Sequence, residues 1–309
     1  MSQTANTQAA ATVEMRRALA GRKVFTFDQG IKYFFLFNAS IAIVAVMAII
    51  AFLLEQGLPF FREESAASLL GRRWVPYLDT GALYGIIPLA AATAWAVVLS
   101  MLAALPMGVC AALYISEIAG PKERTFLKNF IEILASFPSV VLGFFALAVI
   151  APLVKRIFDL PSGMTLLTAS IVLSVMALPT VISVSEDAIR NVPMSYRRAS
   201  LALGASRLAT LWRVVLPAAK SGVIAALMLG TGRVVGETMA VLMVTGGSPV
   251  IPASPLSAGR PMTATIASEM GEVVYGSTHY SALFLIGSIL LFITLGINLV
   301  IIRMTAGRE

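Results

Sequence analysis

The chain has 309 residues, of which 58% are hydrophobic and only 13% are charged, with a formal net charge of +7. Soluble domains carry about 25% charged residues, so the low charge indicates a chain that is solvated by lipid. The single cysteine and the single histidine exclude a disulfide framework within the chain and any cysteine-rich or multi-histidine metal site, and no bound metal or cofactor is expected.

The N-terminal segment, residues 1–30, begins with a run rich in Ala, Thr and Gln and is expected to be partly disordered. Six apolar stretches follow, each long enough to cross a bilayer, which takes roughly 20 helical residues. They lie near 33–54, 86–115, 130–154, 164–184, 221–245 and 280–302. The pattern predicts an all-α membrane protein with a six-span domain over residues 31–304 and a short tail at 305–309.

The Lys and Arg residues lie mainly on one side of the predicted membrane. Sixteen are in the N-terminal segment, the connections after spans two and four and the tail, whereas the other side carries six. Because cytoplasmic loops carry the excess of basic residues, both termini are predicted to be cytoplasmic. This asymmetry explains the positive charge without a nucleic-acid partner. No Gly-x-x-x-x-Gly-Lys-Ser/Thr loop occurs, so any ATP that is used must bind another subunit.

Pro138 and Ser139 fall within the third predicted span. A proline inside a helix commonly produces a kink, which is the simpler interpretation. The alternative is an opened helix turn whose freed backbone groups line a pathway. Both interpretations place the two residues inside the bilayer.

The connection after span four, about residues 185–220, is amphipathic. Leu and Trp recur at helical spacing among Arg and Ser, Gly204 divides the pattern into two short helices, and Pro217 marks the return into span five. Such a segment can lie in the membrane interface, with Arg among the headgroups and Leu in the lipid. It can equally be a helix pair that docks into a groove on a partner, because Gly204 permits a tight bend.

Two full charges, Arg233 and Glu237, lie inside the fifth apolar stretch beside Gly236 and Thr238. A charge at the bilayer centre costs at least about 2.5 kcal/mol, so both side chains are expected to face the bundle interior or water. Their four-residue spacing predicts one helix face and an ion pair. Such a pair either locks two helices together or belongs to an anion pathway, in which the forked donors of Arg suit phosphate oxygens.

The connection after span four resembles the signature loop of binding-protein-dependent ABC permeases, with the same spacing throughout: Arg198-Ala199-Ser200, three residues, Gly204, nine residues, then Val214-x-Leu216-Pro217. Arg198 stands where that family has Glu, and Ser200 replaces its second Ala. The resemblance implies that this loop is the coupling helix that contacts an ATPase subunit. The residues that would couple the chain to the ATPase are Arg198, Ala199, Ser200, Gly204, Leu216 and Pro217.

Three further segments resemble those of the PstC-type phosphate permease family. They are Tyr84-Gly85-Ile86-Ile87-Pro88, Phe137-Pro138-Ser139-Val140-Val141-x-Gly143 and Gly232-Arg233-Val234-Val235-Gly236-Glu237-Thr238-Met239-Ala240-Val241. The resemblance implies the type I ABC importer permease fold in a bacterial inner membrane. It also implies three partners, which are a PstA-type permease subunit, an ATPase dimer that binds the ATP and an extracytoplasmic phosphate-binding protein. The residues expected to act in translocation are Arg233, Gly236, Glu237, Thr238, Pro138 and Ser139.

The expected function is therefore that of a transport subunit without catalytic residues. A permease for another oxyanion, such as phosphonate, sulfate or molybdate, fits the basic residues as well. A secondary transporter that runs without ATP would have no need of the signature loop. An intramembrane enzyme would need a base beside a span serine such as Ser170 or Ser174, and none is evident there.

Overall fold

The structure is a computed structural model that describes residues 25–77 and 81–306. Most of the predicted N-terminal segment at 1–30 and of the predicted tail at 305–309 lies outside the described residues, so both stay predictions, as does the disorder expected in the N-terminal segment. Within the described ranges the regular structure is helical apart from one antiparallel hairpin, in which Trp74 pairs with Tyr84 and Val75 with Leu83, and an isolated parallel bridge between Gly246 and Gly259.

The helices and strands follow one another in chain order. They are α1 (Phe25–Gly57), α2 (Phe60–Glu63), α3 (Ala66–Leu69), β1 (Trp74–Val75), β2 (Leu83–Tyr84), α4 (Ile87–Leu113), α5 (Pro121–Ser136), α6 (Ser139–Phe145), α7 (Ala151–Ile157), α8 (Leu166–Arg190), α9 (Met194–Ala202), α10 (Arg207–Thr210), α11 (Leu216–Ala218), α12 (Lys220–Val235), α13 (Met239–Val244), α14 (Met262–Glu269) and α15 (Thr278–Ala306). Three π-helical turns continue the helices at Tyr114–Ile118, Ala146–Ile150 and Leu211–Val215.

The described residues divide into two compact units. The first, up to Phe52, holds most of α1. The second begins at Leu53 and holds every other element together with the candidate site.

Five helical segments of the described chain are long and apolar enough to cross a membrane. They are Gly30–Glu63, Ile87–Ile118, Ser139–Ile157, Leu166–Arg190 and Thr278–Val300. A sixth is obtained when α12 is taken together with the preceding Arg207–Ala218, from which it is bent by 69°. The predicted all-α, multi-span fold class is therefore confirmed, although two of the predicted spans have different boundaries.

The third span begins later than predicted, at Ser139 rather than near residue 130. The residues before it form a separate helix, α5, which ends at Ser136. Phe137 and Pro138 are extended, with ψ of 130° and 135°. Because a proline disfavours the helical conformation of the residue before it, Phe137 leaves the helix, and α6 starts afresh after Pro138. The predicted kink inside the span is therefore wrong: Pro138 precedes the span helix.

The fifth span is broken where the sequence predicted one continuous helix over 221–245. α12 ends at Val235, and α13 begins at Met239. The last turn of α12 tightens, because the Glu237 N–H donates to the Val234 carbonyl, three residues back, at 3.2 Å. Gly236, at the C-cap of α12, has the poor helix propensity that favours an end at this point.

The core of the second unit forms where α4 and α8 pack together. The Ser174 Oγ of α8 donates to the Ser100 carbonyl of α4 at 3.0 Å as well as to the Ser170 carbonyl at 2.6 Å. Farther along, a Cβ on Gly108 would lie 2.6 Å from the Val181 Cγ1, so this glycine permits the close approach. Small residues commonly allow such contact between helices in a membrane, and they make these two spans one packed unit.

Candidate functional site

The connection after span four folds into two short helices joined at Gly204, as predicted. Gly204 has a φ of +82°, a left-handed conformation that glycine adopts without steric cost. Ser206 then caps α10, because its Oγ accepts the Ala209 N–H at 3.2 Å. We call the segment from Met194 to Ala218 the loop helix pair.

Ser200, which replaces the second Ala of the signature, joins the two helices. Its Oγ lies 2.9 Å from the Thr210 Oγ1, and both side chains are buried. Of the other signature residues, Arg198, Ala199, Gly204 and Pro217 are exposed and Leu216 is half-buried. Most of the signature therefore lies on the surface, and the contact between the two hydroxyls closes the turn from the inside.

The exposed face of the loop helix pair carries large apolar side chains among exposed arginines. Leu203 is 89% exposed, and Leu208 and Trp212 are also exposed. A groove of about 480 Å³ lies against both helices, with Arg198 and Arg207 among its lining residues. Apolar side chains flanked by arginines fit a groove on a partner and also a membrane interface. Contact with an ATPase thus stays a prediction of the sequence.

Arg197, next to the signature residues, attaches α9 to the ends of two spans. Its guanidinium donates to Glu117 just beyond α4, with Nε–Oε1 at 3.0 Å and Nη2–Oε1 at 2.5 Å. Nη2 also donates to the Ile189 carbonyl in the last turn of α8 at 2.8 Å, and Nη1 donates to the Val192 carbonyl. The sequence predicted only the side of the membrane for Arg197, because Glu117 is 80 residues away along the chain.

A buried carboxylate, Glu186, joins α5 to the same end of α8. Its side chain is 3% exposed and lies 2.5 Å from the Arg124 Nη2 and 2.8 Å from the Lys128 Nζ. Arg190, one turn farther along α8, is 3.8 Å away. A buried carboxylate needs such partners, because an unpaired charge in a low-dielectric interior is very costly. The sequence alone did not indicate this cluster.

The ion pair predicted in span five is absent, so that prediction is wrong. Arg233 is exposed and forms no ion pair within 4.0 Å in the described part of the chain. The half-buried Glu237 instead accepts the Ala240 N–H at the start of α13, at 3.4 Å. Because α12 ends at Val235, Glu237 no longer lies one helical turn from Arg233 on a shared face.

The opened backbone at Gly236–Thr238 is held by two hydroxyl groups. The Thr263 Oγ1 of α14 donates to the Glu237 carbonyl at 2.9 Å, and the Thr238 Oγ1 donates to the Gly236 carbonyl at 3.3 Å. Irregular backbone at membrane depth is tolerated where it is buried in protein or lines a water-filled cavity. The break in span five is thus a stabilised feature of the fold. The sequence had not predicted it, since an opened turn was considered only for span three.

The motif of span three packs against the segment that follows this break. A Cβ on Gly143 would lie 2.9 Å from the Ala240 Cα, so the glycine permits direct contact between α6 and α13. Ser139 is half-buried one turn before Gly143, and Pro138 is exposed just ahead of it. The two membrane motifs, far apart in sequence, are therefore neighbours in the fold.

A second buried carboxylate, Glu269, organises the residues beside the hairpin. It accepts the Trp74 Nε1 at 3.0 Å, lies 2.6 Å from the Arg260 Nη1 and lies 2.9 Å from the His279 Nε2. Burial and the nearby Glu269 carboxylate raise the pKa of Tyr77 above its ordinary value. Trp74, Glu269 and His279 come from β1, α14 and α15, and Arg260 lies just before α14. No local pattern in the sequence predicted their contact.

One family model and several known proteins match the sequence. The family model described as "Binding-protein-dependent transport system inner membrane component" matches residues 104–306. The "Probable ABC transporter permease protein YqgH" of Bacillus subtilis (strain 168) is 37% identical over 274 residues, which cover 88% of each chain. The "Phosphate transport system permease protein PstC" of Xylella fastidiosa (strain Temecula1 / ATCC 700964) is 31% identical over 300 residues, which cover 90% of this chain and 91% of that protein.

Two solved structures share the fold. One is a chain of a bacterial alginate ABC transporter in complex with an alginate-bound periplasmic protein, with a TM-score of 0.60 and 15% identity, covering 90% of this chain and 96% of that one. The other is a chain of the inward-facing MetNI methionine ABC transporter, with a TM-score of 0.53 and 22% identity, covering 72% and 94%. At these identities the similarity concerns the fold alone.

Proposed function

This chain belongs to the family of binding-protein-dependent transport system inner membrane components, and we propose that it is the PstC-type permease subunit of an ATP-driven phosphate importer. It is a multi-pass membrane permease of the ABC importer type. Its relatives are transport permeases, several of them named for phosphate transport. Phosphate as the cargo of this chain is supported by those relatives and by the segment Gly232–Val241.

The observation that carries the proposal is the exposed guanidinium of Arg233 in the last turn of α12. An arginine that faced lipid at this depth would cost at least about 2.5 kcal/mol, and the described chain offers it no carboxylate within 4.0 Å. Arg233 therefore faces a second permease subunit or a water-filled path. Its forked donors suit the oxygens of phosphate.

The proposal assigns separate roles to the two parts of the site. Arg233, Gly236–Thr238 and the start of α6 at Pro138 and Ser139 line the translocation path. The loop helix pair docks onto an ATPase subunit, which binds and hydrolyses the ATP because this chain has no phosphate-binding loop. A PstA-type permease subunit completes the path, and an extracytoplasmic phosphate-binding protein delivers the anion.

We expect both termini to be cytoplasmic, because the basic residues are concentrated on their side of the predicted membrane. A reporter enzyme that is active only outside the cytoplasm should be inactive when it is fused after Glu309. The matched control fusion at Pro252, between α13 and α14, should be active. Activity in the opposite arrangement would overturn the topology and the cytoplasmic location of the loop helix pair.

The function is tested by uptake of radiolabelled phosphate in a bacterial strain that lacks both this chain and its ATPase. Restoring the chain together with the ATPase should restore uptake, whereas restoring it with an ATPase variant that cannot hydrolyse ATP should not. Unlabelled phosphate should compete, whereas sulfate, molybdate and a phosphonate in tenfold excess should not. Uptake of one of those oxyanions in labelled form, with no uptake of phosphate, would replace the proposed cargo. Uptake without the ATPase would indicate a secondary transporter.

A further inference from the structure

The attachment of α9 to the membrane spans depends on very few side chains. Within the described chain, the buried residues of this helix are Arg197 and Ser200. Ser200 contacts Thr210, which belongs to the loop helix pair itself. The apolar residues Met194 and Leu201 are exposed. Arg197 is therefore the buried side chain through which α9 is connected to the rest of the bundle.

The contacts of Arg197 reach two spans at once. Through Glu117 it is connected to the π-helical turn that ends the second span, and through the Ile189 carbonyl it is connected to the last turn of α8. The final carbonyl groups of a helix have no partner within that helix, and a positive charge is favourable near them. Arginine serves both acceptors because its planar fork carries five N–H donors in fixed directions.

The two spans held by Arg197 also behave as one packed unit. α4 and α8 are in contact through Ser174 and Ser100 and through Gly108 and Val181. Glu186, with Arg124 and Lys128, adds α5 to the same end. A displacement of α9 at its exposed face would thus be transmitted by a short, charge-assisted contact into three packed helices rather than into a flexible loop.

We propose that Arg197 is a positioning residue that transmits movement of α9, the first helix of the loop helix pair, to the second and fourth spans. The proposal rests on the proposed function, in which an ATPase moves the loop helix pair, and it adds a charged contact through which movement of α9 reaches the spans, beside the apolar contacts of Leu211 and Val215. Arg197 is distinct from its neighbour Arg198, which is exposed and belongs to the signature. In proteins with two coupled sites, binding at one site changes the affinity of the other by roughly 5- to 150-fold.

The test uses the whole importer, purified with its ATPase and reconstituted in vesicles with its binding protein. Arg197→Met removes the fork, Arg197→Lys keeps the charge but reaches fewer acceptors, and Glu117→Gln keeps one acceptor oxygen but loses the negative charge. We expect phosphate transported per ATP hydrolysed to fall by about tenfold or more in Arg197→Met and by less in the other two variants, while ATP hydrolysis continues. Arg156→Met is the matched control, because Arg156 is exposed on α7 and forms no ion pair in the described chain.

Each result has a defined meaning. If assembly and transport fall together while phosphate per ATP stays at the wild-type value, Arg197 is only a structural contact and the inference is overturned. If Arg197→Met does not assemble, Arg197→Lys and Glu117→Gln decide the question by the same ratio. A wild-type importer that hydrolyses ATP but transports no phosphate contradicts the proposed function instead. The ratio is then measured for the oxyanion that the importer does transport.

Discussion

Replacing Arg233 with Gln should abolish phosphate uptake while the permease still inserts and assembles. Arg233 is exposed and has no ion-pair partner in the described chain, so its removal leaves none of the described carboxylates unpaired. If the guanidinium meets the passing anion, the loss of one partner of that charge pair costs roughly 2–5 kcal/mol, which is about a 30-fold or larger loss of uptake. Complex yield and uptake of radiolabelled phosphate are measured side by side.

Glu237 provides the contrast to Arg233. Its carboxylate accepts the Ala240 N–H, and the side-chain carbonyl of Gln can accept the same bond, so Glu237→Gln should assemble normally. The double variant should assemble and still fail to transport. Arg303→Gln, near the end of α15, is the control for loss of an arginine. Recovery of uptake in the double variant would show that the two residues act only as a structural lock, and the anion path would then lie elsewhere.

Replacing Gly204 with Val should uncouple the importer or separate the permease from its ATPase. A Cβ at this position would meet open space, so the damage comes from the backbone and not from a clash. A β-branched residue at a φ of +82° is a conformational outlier, and such strain costs about 1–3 kcal/mol. The turn would relax away from this conformation and pull Ser200 from Thr210. Co-purification with the ATPase and phosphate uptake measure the result.

Two substitutions distinguish the effect of backbone strain at Gly204 from the effect of losing a glycine in general. Gly204→Asn should retain most assembly and uptake, because Asn tolerates the left-handed conformation better than other residues. Gly271→Val places the same side chain at an exposed glycine with free space around it and without a positive φ. Normal assembly and normal uptake in Gly204→Val would contradict docking of the loop helix pair and favour a helix that simply lies at the membrane interface.

The features that the sequence predicted correctly depend on local patterns. The apolar stretches follow from composition over about 20 residues, because a helix must be that long to cross the hydrocarbon core. The bend at Gly204 follows from the spacing of the signature and from the conformational freedom of one residue. The resemblance of the chain to a known family could also be recognised from the sequence, because a motif is defined by the spacing of residues along the chain. The assignments of translocation and coupling residues stay predictions.

The break in the fifth span was not predicted, and an opened turn in the third span was given only as the alternative to a kink, although the causes of both breaks are partly local. The sequence showed Pro138 within an apolar stretch, but only the structure decided that the chain leaves the helix at Phe137 and begins a new one. In span five, the spacing of Arg233 and Glu237 predicts contact only if the helix continues between them. It ends because tertiary contacts, such as the hydrogen bond from Thr263 to the Glu237 carbonyl, stabilise the opened backbone.

Which buried charged and polar side chains meet over long sequence distances was decided by the tertiary structure. Glu117 and Arg197 are 80 residues apart, Arg124 and Glu186 are 62 apart, and Trp74 and Glu269 are 195 apart. The sequence by itself determined that the chain crosses a membrane, and it identified the loop that carries the signature, because burial in lipid and helix periodicity are properties of neighbouring residues. A buried charge must find a partner, but which partner it finds depends on how the helices pack, and no local pattern specifies that packing.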